Sequence, residues 1–271
     1  MQSGGVVTGP APRLDETPGR DLVPQRRQRI LDIVGTRRAA RLEDLSFALG
    51  VSTATVRRDL DGLAAQGLLR RVHGGAVAPG GSAEPHFETK AGEAAAEKER
   101  IAAKAVSLIA PDDVIYLDSG STVLAAARLL RGWDGLTVVT NSLPVAVELG
   151  GHGPRVILIG GEFRATSQAL VGPLSRHVLE NVHVRRALFG AYALSIEEGL
   201  STTDAAEAFT KELALERATE VIVLADSRKL GATSFALAGR LDQIDVLITD
   251  GGIDHRLARQ LQKRGITVIT A

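Results

Sequence analysis

From residue 114 onward, short runs of apolar residues alternate with stretches of helical pattern, and this alternation constrains the fold more than any other feature. The runs are residues 114–117, 136–140, 156–159, 187–189, 221–225, 246–249 and 267–270. Strands that are apolar throughout are buried on both faces. They predict a mainly parallel sheet covered by helices, among them residues 98–110, 123–130 and 205–219. The expected fold class is α/β. Hydrophobic residues make up 44% of the 271, enough for a sizeable core. No apolar run approaches the roughly 20 residues that cross a bilayer. Cysteine is absent, which excludes disulfides, thiolate metal sites and a cysteine nucleophile. No basic stretch followed by an apolar core opens the chain, so a cytoplasmic protein is expected, with no membrane partner.

The first third follows a different pattern. Residues 1–22 are rich in Gly and Pro without periodicity and read as a flexible tail. Between residues 25 and 36, Ile30, Leu31, Ile33 and Val34 form an apolar stripe opposite arginines. A second short helix is expected over 42–49, and Ser52 can cap a third that runs to about Gln66. In the third, Val56, Leu60 and Leu63 share one face, Arg58 and Asp61 point away, and Thr55 and Arg57 lie on the flanks. Residues 68–77 read as a hairpin around His73-Gly74-Gly75. The expected organisation is a winged helix-turn-helix over 23–78, a linker over 79–95 and a larger α/β domain over 96–271.

Charge supports a polyanion partner for the first module. Residues 20–78 hold 11 Arg and no Lys against 6 Asp plus Glu, a local charge of +5. The totals are 32 basic and 32 acidic, so the rest carries 21 and 26, or −5. The expected partner is double-stranded DNA. A helix in the major groove lets Arg57 or Arg58 donate two hydrogen bonds to guanine, while Ser52, Thr53 and Thr55 offer short hydroxyls. Arg70 and Arg71 at the wing suit phosphate contacts, which set affinity without reading sequence. Asp59 suits a structural partner for a neighbouring Arg, because phosphate repels a carboxylate. His73 lacks spaced ligand partners and reads as a wing-turn residue, so no metal and no cofactor is expected.

The residues Arg26, Ile30, Val34, Ser52 and Thr55-Val56-Arg57-Arg58-Asp59-Leu60 resemble the signature of the DeoR family of bacterial transcriptional regulators. The continuation Gly67-Leu68-Leu69-Arg70-Arg71-Val72-His73-Gly74-Gly75-Ala76 resembles it too.

In the larger domain, Asp118-Ser119-Gly120-Ser121-Thr122 follows a strand and opens a helix, where backbone N–H groups and hydroxyls can hold an anion. Taken alone, this turn fits a structural cap equally well. Asn141, within Thr140-Asn141-Ser142, and Gly161, after Gly160, follow other strands, and all these turns could face one crevice. Asp226 and Lys229 follow a further strand, and Lys229 could complement a phosphate. Glu207 and Lys211 stand four apart, either as a surface ion pair or as part of the site.

Residues 118–122, 139–144, 158–164, 170–173, 199–202, 225–229 and 248–250 also resemble the DeoR effector domain, whose fold is similar to ribose-5-phosphate isomerase A. That resemblance implies a regulator that binds double-stranded operator DNA, a repressor of a carbohydrate operon, controlled by a phosphorylated sugar. Ser119, Gly120, Ser121 and Thr122 would hold the phosphate, with Asn141 and Lys229 near the sugar. Helix-turn-helix proteins commonly pair to read two half-sites, which implies a homo-oligomer. After Phe189-Gly190-Ala191 the family continues with Asn and Gly, whereas this chain has Tyr192-Ala193. Two other functions compete. A sugar-phosphate isomerase would need a carboxylate base, and its relatives place an acidic pair where Tyr192 and Ala193 stand. Asp118, Glu207, Asp226 and Asp250 remain, with nothing in their spacing to single out a base. A ligand-independent DNA-binding protein would leave the crevice turns without a purpose.

Overall fold

The computed structural model describes residues 23–37, 39–72, 74–77 and 84–271. The tail read over 1–22 and the wing residue His73 lie outside the described residues. Helix α1 (Val23–Arg37) buries Ile30 and Val34. A short strand, β1 (Ala39–Arg41), leads into α2 (Leu42–Leu49), which ends at Gly50 with φ of 64°, a conformation that favours glycine. Helix α3 (Thr53–Ala65) starts at Ser52, whose side chain accepts the Thr55 N–H, and buries Val56, Leu60 and Leu63 as its spacing predicts. Each such side chain contributes about 1.5–3 kcal/mol of burial. Strands β2 (Arg70–Val72) and β3 (Gly75–Val77) form the expected hairpin, and β1 pairs with the other edge of β3. At three residues, β1 is too short to show alternation in the sequence.

The segment expected as a linker is structured from Glu84 on. It contains a short helix, α4 (Phe87–Gly92), with Phe87 buried. Helix α5 (Ala95–Val106) follows, starting and ending earlier than the expected 98–110. Next come β4 (Val114–Leu117), α6 (Ser121–Leu129), β5 (Thr137–Thr140), α7 (Leu143–Leu149) and β6 (Arg155–Leu158). A hairpin, β7 (Glu162–Arg164) and β8 (Ala169–Val171), precedes α8 (Arg176–Leu179) and β9 (Val184–Gly190). Then follow β10 (Ala193–Ser195), β11 (Gly199–Thr202), α9 (Ala205–Leu215), β12 (Ala218–Leu224) and β13 (Ala236–Gly239). The chain closes with β14 (Val246–Thr249), α10 (His255–Lys263) and β15 (Thr267–Thr270).

Seven strands form one parallel sheet in the order β15-β14-β12-β9-β4-β5-β6. Each corresponds to one of the seven apolar runs. The expected helix over 205–219 is cut short at Leu215, because Ala218 already pairs with Val184 in the sheet. Successive strand residues enter opposite cores, as the two-residue period requires. Ile115 and Leu117 pack with α5, α6 and α7, while Tyr116 packs on the other face with α9 and with the antiparallel sheet β10-β11-β13. The wing packs on that second layer. Val77 joins its core, and Arg41 donates to the Leu237 carbonyl at 3.3 Å.

Candidate functional site

Strand order reverses between β4 and β9. The chain runs outward from β4 to β6 on one side and from β9 to β15 on the other. Such a switch point leaves a crevice beyond the carboxyl ends of the strands. Ser119, Gly120, Ser121 and Thr122 line it from the start of α6, Gly190 and Tyr192 from the end of β9, and Asp226 and Lys229 from the end of β12. No side chain caps the N-terminus of α6, so its first N–H groups are free to hold an anion. Gly120 has φ of 131°, open to glycine, and a Cβ on Gly190 would lie 2.9 Å from the Ser119 carbonyl oxygen. The two turns therefore close on each other only through glycine. Lys229 Nζ stands 5.3 Å from the centre of the Tyr192 ring. Burial raises the Tyr192 phenol above its ordinary value, so Tyr192 presents a neutral ring and hydroxyl.

Residues 84–98, around α4 and the start of α5, add Glu84, Lys90, Glu93 and Lys98 to the lining. Both Lys98 Nζ and Ser121 Oγ donate to the Lys90 carbonyl, the latter at 3.4 Å. Burial lowers the Lys98 ammonium from its ordinary value.

Beneath the crevice runs a chain of buried charges. Lys211 is 3% exposed and Glu207 6%, so their i, i+4 pair is interior, and the surface-pair reading fails. Lys211 bonds Asp118, reaches the Gly190 carbonyl at 3.3 Å and lies 3.9 Å from Glu207. Burial raises the carboxyls of Asp118 and Glu207. Burial opposes the charge on Lys211, yet Asp118 and Glu207 together hold its ammonium above its ordinary value. Arg164 continues the chain, 3.2 Å from Glu207, 2.5 Å from Glu84 and 3.6 Å from Asp204. Lys90 closes on Glu84 at 2.7 Å. Burial would raise Glu84, but the Arg164 hydrogen bond and the Lys90 and Arg164 charges hold its carboxyl at about 2.

The expected site residues thus separate. Ser119, Gly120, Ser121, Thr122, Lys211 and Lys229 line the crevice, while Asp118 sits behind it on Lys211. Asn141 and Gly161 do not line it. Asn141 is fully buried after β5, and a Cβ on Gly161 would meet the Val171 backbone at 2.7 Å, which marks a packing glycine. Glu84, Lys90, Lys98 and Ser167 also line the crevice and were not foreseen. They come from an Ala- and Glu-rich stretch and a hairpin turn, with no local signal.

On the N-terminal module, Thr53, Arg57 and Arg58 are exposed on α3, and Arg70 is exposed on β2. The Ser52 hydroxyl is engaged as the cap and lies 3.0 Å from Thr55 Oγ1. Asp59 is buried against Arg26 at 2.6 Å and Arg27 at 3.3 Å, the structural role expected of it. Arg71 is less free than expected. It pairs with Asp61 of α3 at 3.1 Å and donates to the Gly75 carbonyl at 3.3 Å. Arg70 and Arg71 line a cleft shared with Glu84, Arg164 and Asp204.

A family model described as the DeoR-like helix-turn-helix domain matches residues 26–80, and one described as the DeoR C terminal sensor domain matches residues 93–251. The chain belongs to the DeoR family. This DeoR-family protein is a transcriptional regulator with a DNA-binding module, as its curated relatives are named. It is 36% identical to the HTH-type transcriptional regulator GlpR of Haloferax volcanii over 92% of this chain and 98% of that one. It is 34% identical to the regulator GolR of Listeria innocua over 90% and 97%. A lactose phosphotransferase system repressor of Streptococcus mutans is 35% identical over 87% and 95%. Ribose 5-phosphate isomerase A of Neisseria gonorrhoeae overlaps 54% of this chain and 56% of that one at a TM-score of 0.38 and 17% identity, a partial overlap. Among the described residues, no helix is long and apolar enough to cross a membrane.

Proposed function

We propose that this DeoR-family regulator represses a carbohydrate-metabolism operon and releases its operator when a phosphorylated sugar fills the crevice. The observation that carries this reading is the convergence, at one switch point, of an uncapped helix N-terminus, the hydroxyls of Ser119, Ser121 and Thr122, and the ammonium of Lys229. A phosphate monoester is dianionic near neutral pH and suits that set of donors. The name of the lactose phosphotransferase system repressor supports the sugar context. At the other end, α3 enters the major groove with Arg57 and Arg58 toward base edges and Thr53 and Thr55 toward bases or phosphates. Arg70 holds phosphate. Two copies would read half-sites one helical turn apart, about 34–36 Å.

Ligand can change DNA affinity only by binding the free and bound conformations unequally, a coupling typically of about 1–3 kcal/mol. The test is an operator-binding titration with and without a panel of sugar phosphates, on wild type, Lys229→Ala and Ser121→Ala. Wild type is expected to release DNA with one member of the panel, and both variants to stay bound at the concentrations that release wild type. Release of either variant at wild-type concentrations removes its residue from the site. If no sugar phosphate moves wild type, the effector reading fails.

A further inference from the structure

Five buried side chains among the described residues carry a polar atom without a hydrogen-bond partner: Tyr116, Asp118, Asn141, Ser167 and Thr249. Only Ser167 lines the crevice. It is 3% exposed, and a buried hydroxyl left unpaired is costly, so its persistence calls for an explanation.

The turn that carries Ser167 is held from both sides. It joins β7 to β8 over residues 165–168, and the next residue, Gln168, has φ of 51°, a left-handed conformation that is uncommon outside glycine. On one side, Phe87 N–H donates to the Thr166 carbonyl at 3.0 Å, and the Gln168 side chain bonds Glu88. On the other, Leu143 N–H donates to the Gln168 carbonyl at 3.0 Å, and Leu170 N–H to the Asn141 carbonyl at 2.8 Å. A backbone strained locally and fixed by its neighbours is the kind that presents a side chain to a ligand.

The charges around the turn indicate which part of a ligand meets it. The strand before the turn carries Arg164, which is committed to Glu84 and Glu207. Both carboxyls line the crevice, and they repel a phosphate while accepting from hydroxyls. The phosphate belongs at the start of α6 with Lys229, and the sugar hydroxyls toward the carboxyls.

We propose that Ser167 reads a hydroxyl of the sugar and is a specificity-determining residue of the crevice. The proposal rests on the reading of the crevice as a sugar-phosphate site. The experiment is calorimetric titration of the full chain, wild type and Ser167→Ala, with a panel of pentose and hexose phosphates and with inorganic phosphate. Thermal unfolding of both proteins without a probe accompanies it. In wild type, the best sugar phosphate should bind far more tightly than inorganic phosphate. Ser167→Ala should cut the ratio of the two affinities by about two- to ten-fold, one hydrogen bond's worth. Its unfolding midpoint should equal or exceed that of wild type, since no partner loses a bond. An unchanged ratio overturns the role of Ser167 while leaving the crevice reading intact. A midpoint lowered by several degrees overturns it as well, by showing that the hydroxyl is structural. If wild type binds sugar phosphates no better than inorganic phosphate, the crevice reading fails and the proposal with it.

Discussion

Arg58 and Arg70 carry the same charge but have different tasks. Arg58 stands on the exposed face of α3, and Arg70 on the wing strand beside it. Arg58→Ala should lower affinity for the cognate operator by about 1–3 kcal/mol and relax its preference over random DNA. Arg70→Ala should weaken both DNAs alike, because phosphate contacts read no sequence. Fluorescence anisotropy with cognate and scrambled duplexes distinguishes them, and an unchanged specificity ratio in Arg58→Ala excludes that residue from base reading. Glu84 gives a pH prediction. Its folded carboxyl is held at about 2 against an ordinary 4.5, so the stabilisation is complete above 4.5 and disappears as pH falls toward 2. At about 1.4 kcal/mol per unit, the effect is on the order of 3 kcal/mol. Glu84→Gln should unfold at lower temperature than wild type at pH 7, and the two midpoints should converge below pH 4. Parallel midpoints across that range would show that Glu84 is not the group that titrates.

Among the elements, legibility followed burial. Each of the seven sheet strands contains an apolar run, mostly buried in the five inner strands and half-buried in the edge strands β6 and β15. The α3 stripe was equally legible, because Val56, Leu60 and Leu63 repeat at helical spacing. Strands β7, β8, β10, β11 and β13 were not: they are short and several lack a continuous apolar run, as in Glu162-Phe163-Arg164 and Gly199-Leu200-Ser201-Thr202. Helix α4 was hidden for another reason: it is six residues long, and Lys90 and Phe87 are tied to Ser121 and Thr166, distant in sequence, as well as to Glu84. In the crevice, the α6 turn and Lys229 could be read from the sequence, whereas Ser167 and Glu84 could not. Two predictions belong at this scale. Leu60→Ala should cost about 2–5 kcal/mol in chemical denaturation of the N-terminal module, as a cavity in a small core does. Gly190→Ala drives a methyl to 2.9 Å from the Ser119 oxygen, so it should spread the two turns and weaken sugar-phosphate binding in calorimetry. Full affinity in Gly190→Ala would mean that the turns give way easily.

The whole molecule is electrically divided, +5 over residues 20–78 and −5 elsewhere, with no net charge. DNA binding should weaken steeply with salt, by a log–log slope of about 0.9 per phosphate neutralised, and a flat response would contradict an electrostatic module. The buried chain from Asp118 through Lys211, Glu207 and Arg164 to Glu84 joins the crevice to the cleft where Arg70 and Arg71 lie. The chain of charges thus ends at a cleft that two wing arginines also line. The crevice itself is assembled from stretches scattered between Glu84 and Lys229, brought together only once the sheet has formed. No fragment of the chain can own it. A molecule that binds there binds the finished fold and nothing less, so by mass action it withdraws protein from the unfolded pool. At a hundred times its dissociation constant the gain is about 2.7 kcal/mol. In a cell, the lifetime of the regulator would then rise and fall with the supply of its own signal.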